Sequence, residues 1–221
     1  MRCVIFDLDG TLADTAADLI VAANAALGAL GHAPQLAIGA DDATAFRGGR
    51  AMLRLAADRL ALPGPEALVE AGYPLLLEAY GSAIDTHTRL YPGAMEAVHR
   101  LRGNAIAVGI CTNKPAGLAE RLLTRLGVRG DFASVIGADT LPVRKPDPAP
   151  FRAAVAGAGG AVERSILIGD TVTDRETARA AGRPCALVTF GPGGRGVVDL
   201  APEALLEDYA ALDGVVDRLV P

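Results

Sequence analysis

The sequence predicts an α/β fold: a doubly wound, mostly parallel sheet with an all-helical cap inserted after the first strand. Three observations carry this. Short apolar runs recur at residues 3–6, 105–111, 135–136, 166–168 and 185–189, unbroken as in strands covered on both faces. Helical patterns separate the later runs, giving the β–α–β order of a parallel sheet. Finally, almost a hundred residues separate Asp7 from Ala105, where a βαβ unit needs only about 30.

Taken in order, Val4-Ile5-Phe6 reads as a buried strand that stops at Asp7. Residues 14–87 then show helical periodicity: Ala16, Leu19, Ala23, Leu27 and Leu30; Met52, Leu53, Ala56 and Leu60; Val69, Tyr73, Leu76 and Tyr80. Ala-Leu-Pro-Gly-Pro at 61–65 punctuates the last two. Ala94, Val98 and Leu101 precede the second strand, and Leu118, Leu122 and Leu126 follow it. The expected division is a Rossmann-like core of residues 1–13 plus 88–221, and a helical cap of 14–87.

Composition narrows the partners. With 221 residues, 51% of them apolar, the chain can bury real cores. A net charge of −5 and no basic stripe argue against nucleic acid. No apolar run reaches the roughly 20 residues of a membrane span, and Asp7 interrupts the only N-terminal one, so a cytoplasmic protein without a membrane partner is expected. Cys3, Cys111 and Cys185, each in or beside an apolar run, read as buried free thiols. His32, His87 and His99 show no metal-ligand spacing.

The chemistry gathers at strand ends. "VIFDLDGTLADT" at 4–15 carries Asp7 and Asp9, which strand alternation would send to one side. At ~5 Å and an effective dielectric of ~20 they would repel by roughly 3 kcal/mol, about two pKa units. A cation, a shared proton or exposure must offset that. "AIAVGICTNKP" ends in Thr112 and Asn113, with Lys114 next, and "SILIGDTVTD" gives Asp170 and Asp174. "LPVRKPDPAP" is a proline-stiffened loop that presents Lys145. Carboxyl ends of parallel strands share one crevice, so these groups meet. Dense carboxylates suit a hard divalent cation, Mg²⁺ first. Thr112, the backbone N–H groups after it and Lys145 are left for an anion. Together they describe phosphoryl transfer through an aspartyl-phosphate.

With these residues in place, the chain resembles the haloacid dehalogenase superfamily over essentially its whole length. "DLDGT" at 7–11, "CTN" at 111–113, Lys145 in "RKPDP" and "GDTVTD" at 169–174 are similar to its four motifs in order. The resemblance implies that Asp7 is nucleophile and Mg²⁺ ligand. It implies that Asp9 protonates the leaving oxygen, then activates water, and gives its backbone carbonyl to the metal. Thr112, the Asn113 backbone and Lys145 would hold phosphate. Asp170 would ligate Mg²⁺, with Asp174 supporting it from behind.

Departures from relatives narrow the activity. Haloacid dehalogenases and phosphonoacetaldehyde hydrolases lack an aspartate where this chain has Asp9. β-Phosphoglucomutases carry a histidine where it has Leu19, which disfavours a phosphoglucomutase-type phosphotransferase. "ADTAADL" at 13–19 is closest to phosphoglycolate phosphatases. The expected activity is Mg²⁺-dependent hydrolysis of a small phosphorylated metabolite, 2-phosphoglycolate first; the alternatives are a sugar phosphate, a nucleotide or pyrophosphate. A receiver domain combines similar groups but is shorter, has no inserted cap, and carries its phosphoacceptor after the third strand.

Around this centre, Arg47 and Arg50 in "TAFRGGRAML" are the cap's candidates for reading a substrate anion, against a solvated loop as the plain alternative. Asp14 and Asp18 read as capping and first-turn acids. "FGPGGRG" at 190–196 reads as a surface loop, since it lacks the ending of a phosphate loop. Only two of 21 basic residues are lysine, and of these Lys145 is expected to be the intolerant one, Lys114 the replaceable one.

Overall fold

The computed structural model describes residues 1–221, which divide into two compact units: Met1–Asp14 with Leu90–Pro221, and Thr15–Arg89. Strand β1 (Cys3–Phe6) opens the first unit. The chain leaves it through a two-residue strand, β2 (Ala13–Asp14), and returns through another, β3 (Arg89–Leu90). Strands this short leave no periodic trace, and the observed changeovers fall one and two residues beyond the expected ones.

The second unit is helical: α1 (Ala16–Ala29), α2 (Asp42–Ala45), α3 (Gly49–Arg59) and α4 (Pro65–Ser82). Helix α4 packs on both α1 and α3. The approach of α3 is close: a Cβ on Gly72 of α4 would lie 3.1 Å from Leu53. Ile20, Leu27, Met52, Leu53, Val69 and Leu76 are buried between these helices, as the 3.6-residue period requires. Asp18 does more than favour the start of α1. Its carboxylate accepts from His87 N, Thr88 N and Thr88 Oγ1 at 2.8–3.0 Å, tying the beginning of this unit to its end.

Back in the first unit the chain runs through α5 (Ala94–Gly103), β4 (Ala107–Cys111), α6 (Ala116–Arg125) and β5 (Ser134–Ile136). It continues through α7 (Pro148–Gly157), β6 (Ser165–Gly169), α8 (Val172–Ala181), β7 (Cys185–Val188), β8 (Ala204–Leu206) and α9 (Leu212–Leu219). Six strands form one wholly parallel sheet in the order β5-β4-β1-β6-β7-β8. Chain order reverses at β1, so the crevice of a doubly wound sheet lies at its carboxyl end.

Period-two alternation explains the apolar runs. Cys3 and Ile5 join Phe151, Ala154 and Val155 of α7 and Ala178 of α8 in one core layer. On β1, Phe6 points the other way, 6.4 Å from the Tyr209 ring. Both faces are covered, so neither can be polar. The run at 105–111 starts two residues before its strand, because Ala105 (φ 55°) and Ile106 close the end of α5. Strand β8 is the three-residue apolar run Ala-Leu-Leu with an exposed middle, and it is not among the expected strands. The three cysteines are buried free thiols, and burial pushes Cys3 and Cys111 up to about 12.

Candidate active site

Strand β1 stops at Phe6, which is in register with Ile110 of β4 and Ile168 of β6. Asp7 N donates to Ile168 O at 2.8 Å, so Asp7 emerges at the carboxyl edge beside the strand ends that carry Thr112 and Asp170. Alternation does not extend to Asp9. Residues 8–13 close into a turn in which Leu12 and Ala13 both donate to Leu8 O at 3.0 Å, with Gly10 at φ 80°. The Asp9 carboxylate is held by Lys114, whose Nζ lies 2.7 Å from Oδ1.

Asp7 is buried, and its Oδ1 accepts from Leu8 N at 2.7 Å and meets Lys145 Nζ at 3.1 Å. Burial pushes its carboxyl up to about 6; Lys145 and the Leu8 N–H oppose this, while Asp174 and Asp9 add to it. Burial alone would lower the Lys145 ammonium, but Asp174 and Asp7 outweigh that and hold it above the ordinary lysine value. Lys145 is therefore a fixed positive charge. The side chain of Asn113 supports it from behind, Nδ2 donating to Lys145 O at 3.0 Å. Asp147 then caps α7 by accepting from Ala149 N, and Pro148 starts the helix without a donor to satisfy.

Asp174 is the third residue of α8 and closes a capping box with Thr171. Its Oδ2 accepts from Thr171 N and Oγ1 and from Asp170 N, and its Oδ1 takes Lys145 Nζ at 2.6 Å. Both oxygens are thus committed. Gly169 makes room: a Cβ there would lie 2.4 Å from the Asp174 side chain. Asp170 differs. Its Oδ1 accepts from Thr11 Oγ1 at 2.9 Å, whereas Oδ2 is buried with no donor at all. Burial, then Asp174 and Asp7, push the Asp170 carboxyl well above its ordinary value.

Oxygens of Asp7, Asp170 and Asp174 lie within 4.8 Å of one another. Around them four carboxylates, Asp7, Asp9, Asp170 and Asp174, face two ammoniums, Lys114 and Lys145. With all four ionised, two negative charges would lack a counter-charge, and one buried oxygen has no donor. Both are what a divalent cation with oxygen ligands would satisfy.

The model of the haloacid dehalogenase-like hydrolases matches residues 1–182. The chain belongs to this family. As a haloacid dehalogenase-like hydrolase it is an enzyme, a phosphoric monoester hydrolase. It is 39% identical to the phosphoglycolate phosphatase of Agrobacterium fabrum, covering 94% of this chain and 89% of that one. With the phosphoglycolate phosphatase of Mesorhizobium japonicum the identity is 37%, over 98% and 96% of the two chains. A hydrolase structure from Pseudomonas syringae shares the fold at a TM-score of 0.77 and 24% identity, covering all of both chains. One from Lactobacillus delbrueckii shares it at 0.85 and 23%, over 98% and 99%.

Set against the sequence-based expectations for this hydrolase, Asp7, Thr112, Lys145, Asp170 and Asp174 gather at one sheet edge, and the Asp9 side chain turns to Lys114. Lys114, expected to be replaceable, is buried on Asp9; its rarity and its place beside Thr112-Asn113 were the available signal. Thr11 and Tyr209 had no such signal. Tyr209 Oη donates to Thr11 O at 2.7 Å across 198 residues of sequence. The loop at 190–196 packs against this edge through its start: a Cβ on Gly191 would lie 2.6 Å from Gly10 O and 3.3 Å from Asp170 Cβ. In the helical unit the two arginines differ. Arg50 pairs with Glu70 at 2.5 Å and stacks 4.6 Å over the Tyr73 ring, while Arg47 is exposed and pairs with no carboxylate.

Proposed function

We propose that this enzyme hydrolyses 2-phosphoglycolate, a small phosphate monoester, through an aspartyl-phosphate on Asp7. The observation that carries the chemistry is the buried Asp7, 3.1 Å from the Lys145 ammonium and beside the donorless Oδ2 of Asp170. The identity to phosphatases named for this substrate, 35–39% over nearly the whole chain, supports it.

In the first step an Asp7 oxygen attacks phosphorus as the ester P–O bond breaks. Lys145 keeps positive charge beside Asp7 and the incoming phosphoryl group. Thr112 Oγ1 already accepts from Lys114 N at 3.2 Å, which directs its hydroxyl proton toward a phosphoryl oxygen, and the Asn113 N–H serves another. The leaving oxygen takes its proton from Asp9. In the second step Asp9 removes a proton from water as it attacks phosphorus, the bond to Asp7 breaks, and both aspartates are restored. Mg²⁺ suits the donor set: Asp7, the Asp9 carbonyl and Asp170 would hold it, with Asp174 behind them. When bound, the cation neutralises carboxylate and phosphoryl charge. We read the helical unit as the cap that selects the leaving group, with Arg47 reading the glycolate carboxylate.

The test is a panel of phosphate esters assayed for kcat/KM with Mg²⁺. Phosphoglycolate should lead. A sugar phosphate, nucleotide or pyrophosphate leading instead would overturn the substrate, and full activity of Asp7→Asn would overturn the mechanism.

A further inference from the structure

We infer that Lys114 is the positioning residue of Asp9: it fixes the carboxyl that gives the leaving group its proton and stabilises the carboxylate left behind. The inference rests on the phosphatase reading of this site and adds a part to it. The Lys114 side chain is only 3% exposed, and its Nζ lies 2.7 Å from Asp9 Oδ1. Its root is fixed on both sides, since Lys114 N donates to Thr112 Oγ1 at 3.2 Å and Lys114 O accepts from Ala138 N at 3.0 Å. The residue after the phosphate-binding pair thus reaches across from β4 to the turn after β1. In a chain whose other basic residues, Lys145 apart, are all arginine, a buried lysine here supplies a compact charge that a planar guanidinium does not.

Chemically, Asp9 supplies the transferable proton while the Lys114 ammonium sits on its Oδ1. As the ester P–O bond breaks, its electron pair stays on the leaving oxygen, which takes that proton. Asp9 becomes a carboxylate beside Lys114, and the charge formed in the step meets a preorganised partner. In the second step the same carboxylate recovers a proton from water.

The dependence on leaving group separates this role from a structural one. An alkoxide needs the proton, whereas 4-nitrophenolate departs almost without it. The ratio kcat/KM reports steps only through leaving-group departure, so slow hydrolysis of the aspartyl-phosphate does not blur it. Lys114→Met should lose on the order of 10²-fold in kcat/KM on 2-phosphoglycolate. On 4-nitrophenyl phosphate it should stay within about threefold, because the general-acid share of the barrier is absent there. Lys114→Gln removes the charge but keeps a donor, and it carries the test should the methionine variant misfold. Adding Lys114→Met to Asp9→Asn should cost no more than Asp9→Asn alone, since both act through one group. Equal losses on the two esters in a folded variant, or additive losses in the double variant, would overturn the inference. Failure of the phosphatase reading would look different: the unaltered enzyme would hydrolyse neither ester.

Discussion

Replacing Asp7, the proposed nucleophile, should make the metal-free protein more stable. Asp7 is buried beside Asp174 and near Asp9, and even with Lys145 at 3.1 Å its carboxyl is pushed from 3.8 to about 6. The fold therefore prefers the protonated form. Between pH 3.8 and about 6 the folded chain holds a proton that the unfolded chain has released, so stability falls as pH rises through this window and stays lower above it. A displacement of about two pH units corresponds to roughly 3 kcal/mol. Asparagine matches the neutral acid in shape, and its Oδ1 still accepts from Leu8 N while Lys145 keeps Asp174. Without metal at about pH 8, Asp7→Asn should gain up to about 3 kcal/mol, or roughly 6–12 °C in Tm for a chain of this size. At about pH 4 the gain should vanish. The assay is thermal unfolding in chelator at both pH values, followed by Mg²⁺ titration. The unaltered protein should recover stability as cation binds its folded state, and the variant should recover less. A variant less stable than the parent at pH 8 in chelator would show that the attraction between Lys145 and Asp7 outweighs the burial cost, and would refute the reasoning.

Other replacements probe separate parts. Lys145→Arg should lose on the order of 10² in kcat/KM, because a wider cation cannot sit between Asp174 and Asp7 without displacing one of them; near-normal rates would remove Lys145 from the phosphate site. Arg47→Ala should raise KM for 2-phosphoglycolate and leave 4-nitrophenyl phosphate nearly unchanged, whereas Arg50→Ala, losing Glu70 and Tyr73, should lower Tm by a degree or two and spare specificity. Equal effects of the two on both esters would mean that neither arginine reads the carboxylate. Gly191→Ala sets a methyl group 2.6 Å from the Gly10 carbonyl, so it should cost activity at least tenfold with little change in far-UV circular dichroism; full activity would show that the turn after β1 yields freely.

The sequence by itself determined the parallel α/β class, because strands covered on both faces must be apolar throughout and helices between them must be amphipathic. It also determined the polar residues that follow the strands, because the apolar runs stop there while the chain stays buried. Asp7, Thr112 and Asp170 were legible for that reason, and Lys145 and Asp174 through the short motifs that hold them. Strand β8 was not, since three residues with an exposed centre carry no period, and the true start of β4 was hidden because Ala105 and Ile106 are apolar for the sake of the α5 terminus. Only the tertiary structure decided the pairings. A 2.7 Å contact between Asp9 and Lys114, a hydroxyl of Tyr209 on Thr11, and a loop glycine against Gly10 each join residues distant along the chain, and local pattern holds no term for such distances. The structure likewise separated Arg47 from Arg50, which are three residues apart and identical in type, because a partner carboxylate and a ring lie against one of them alone.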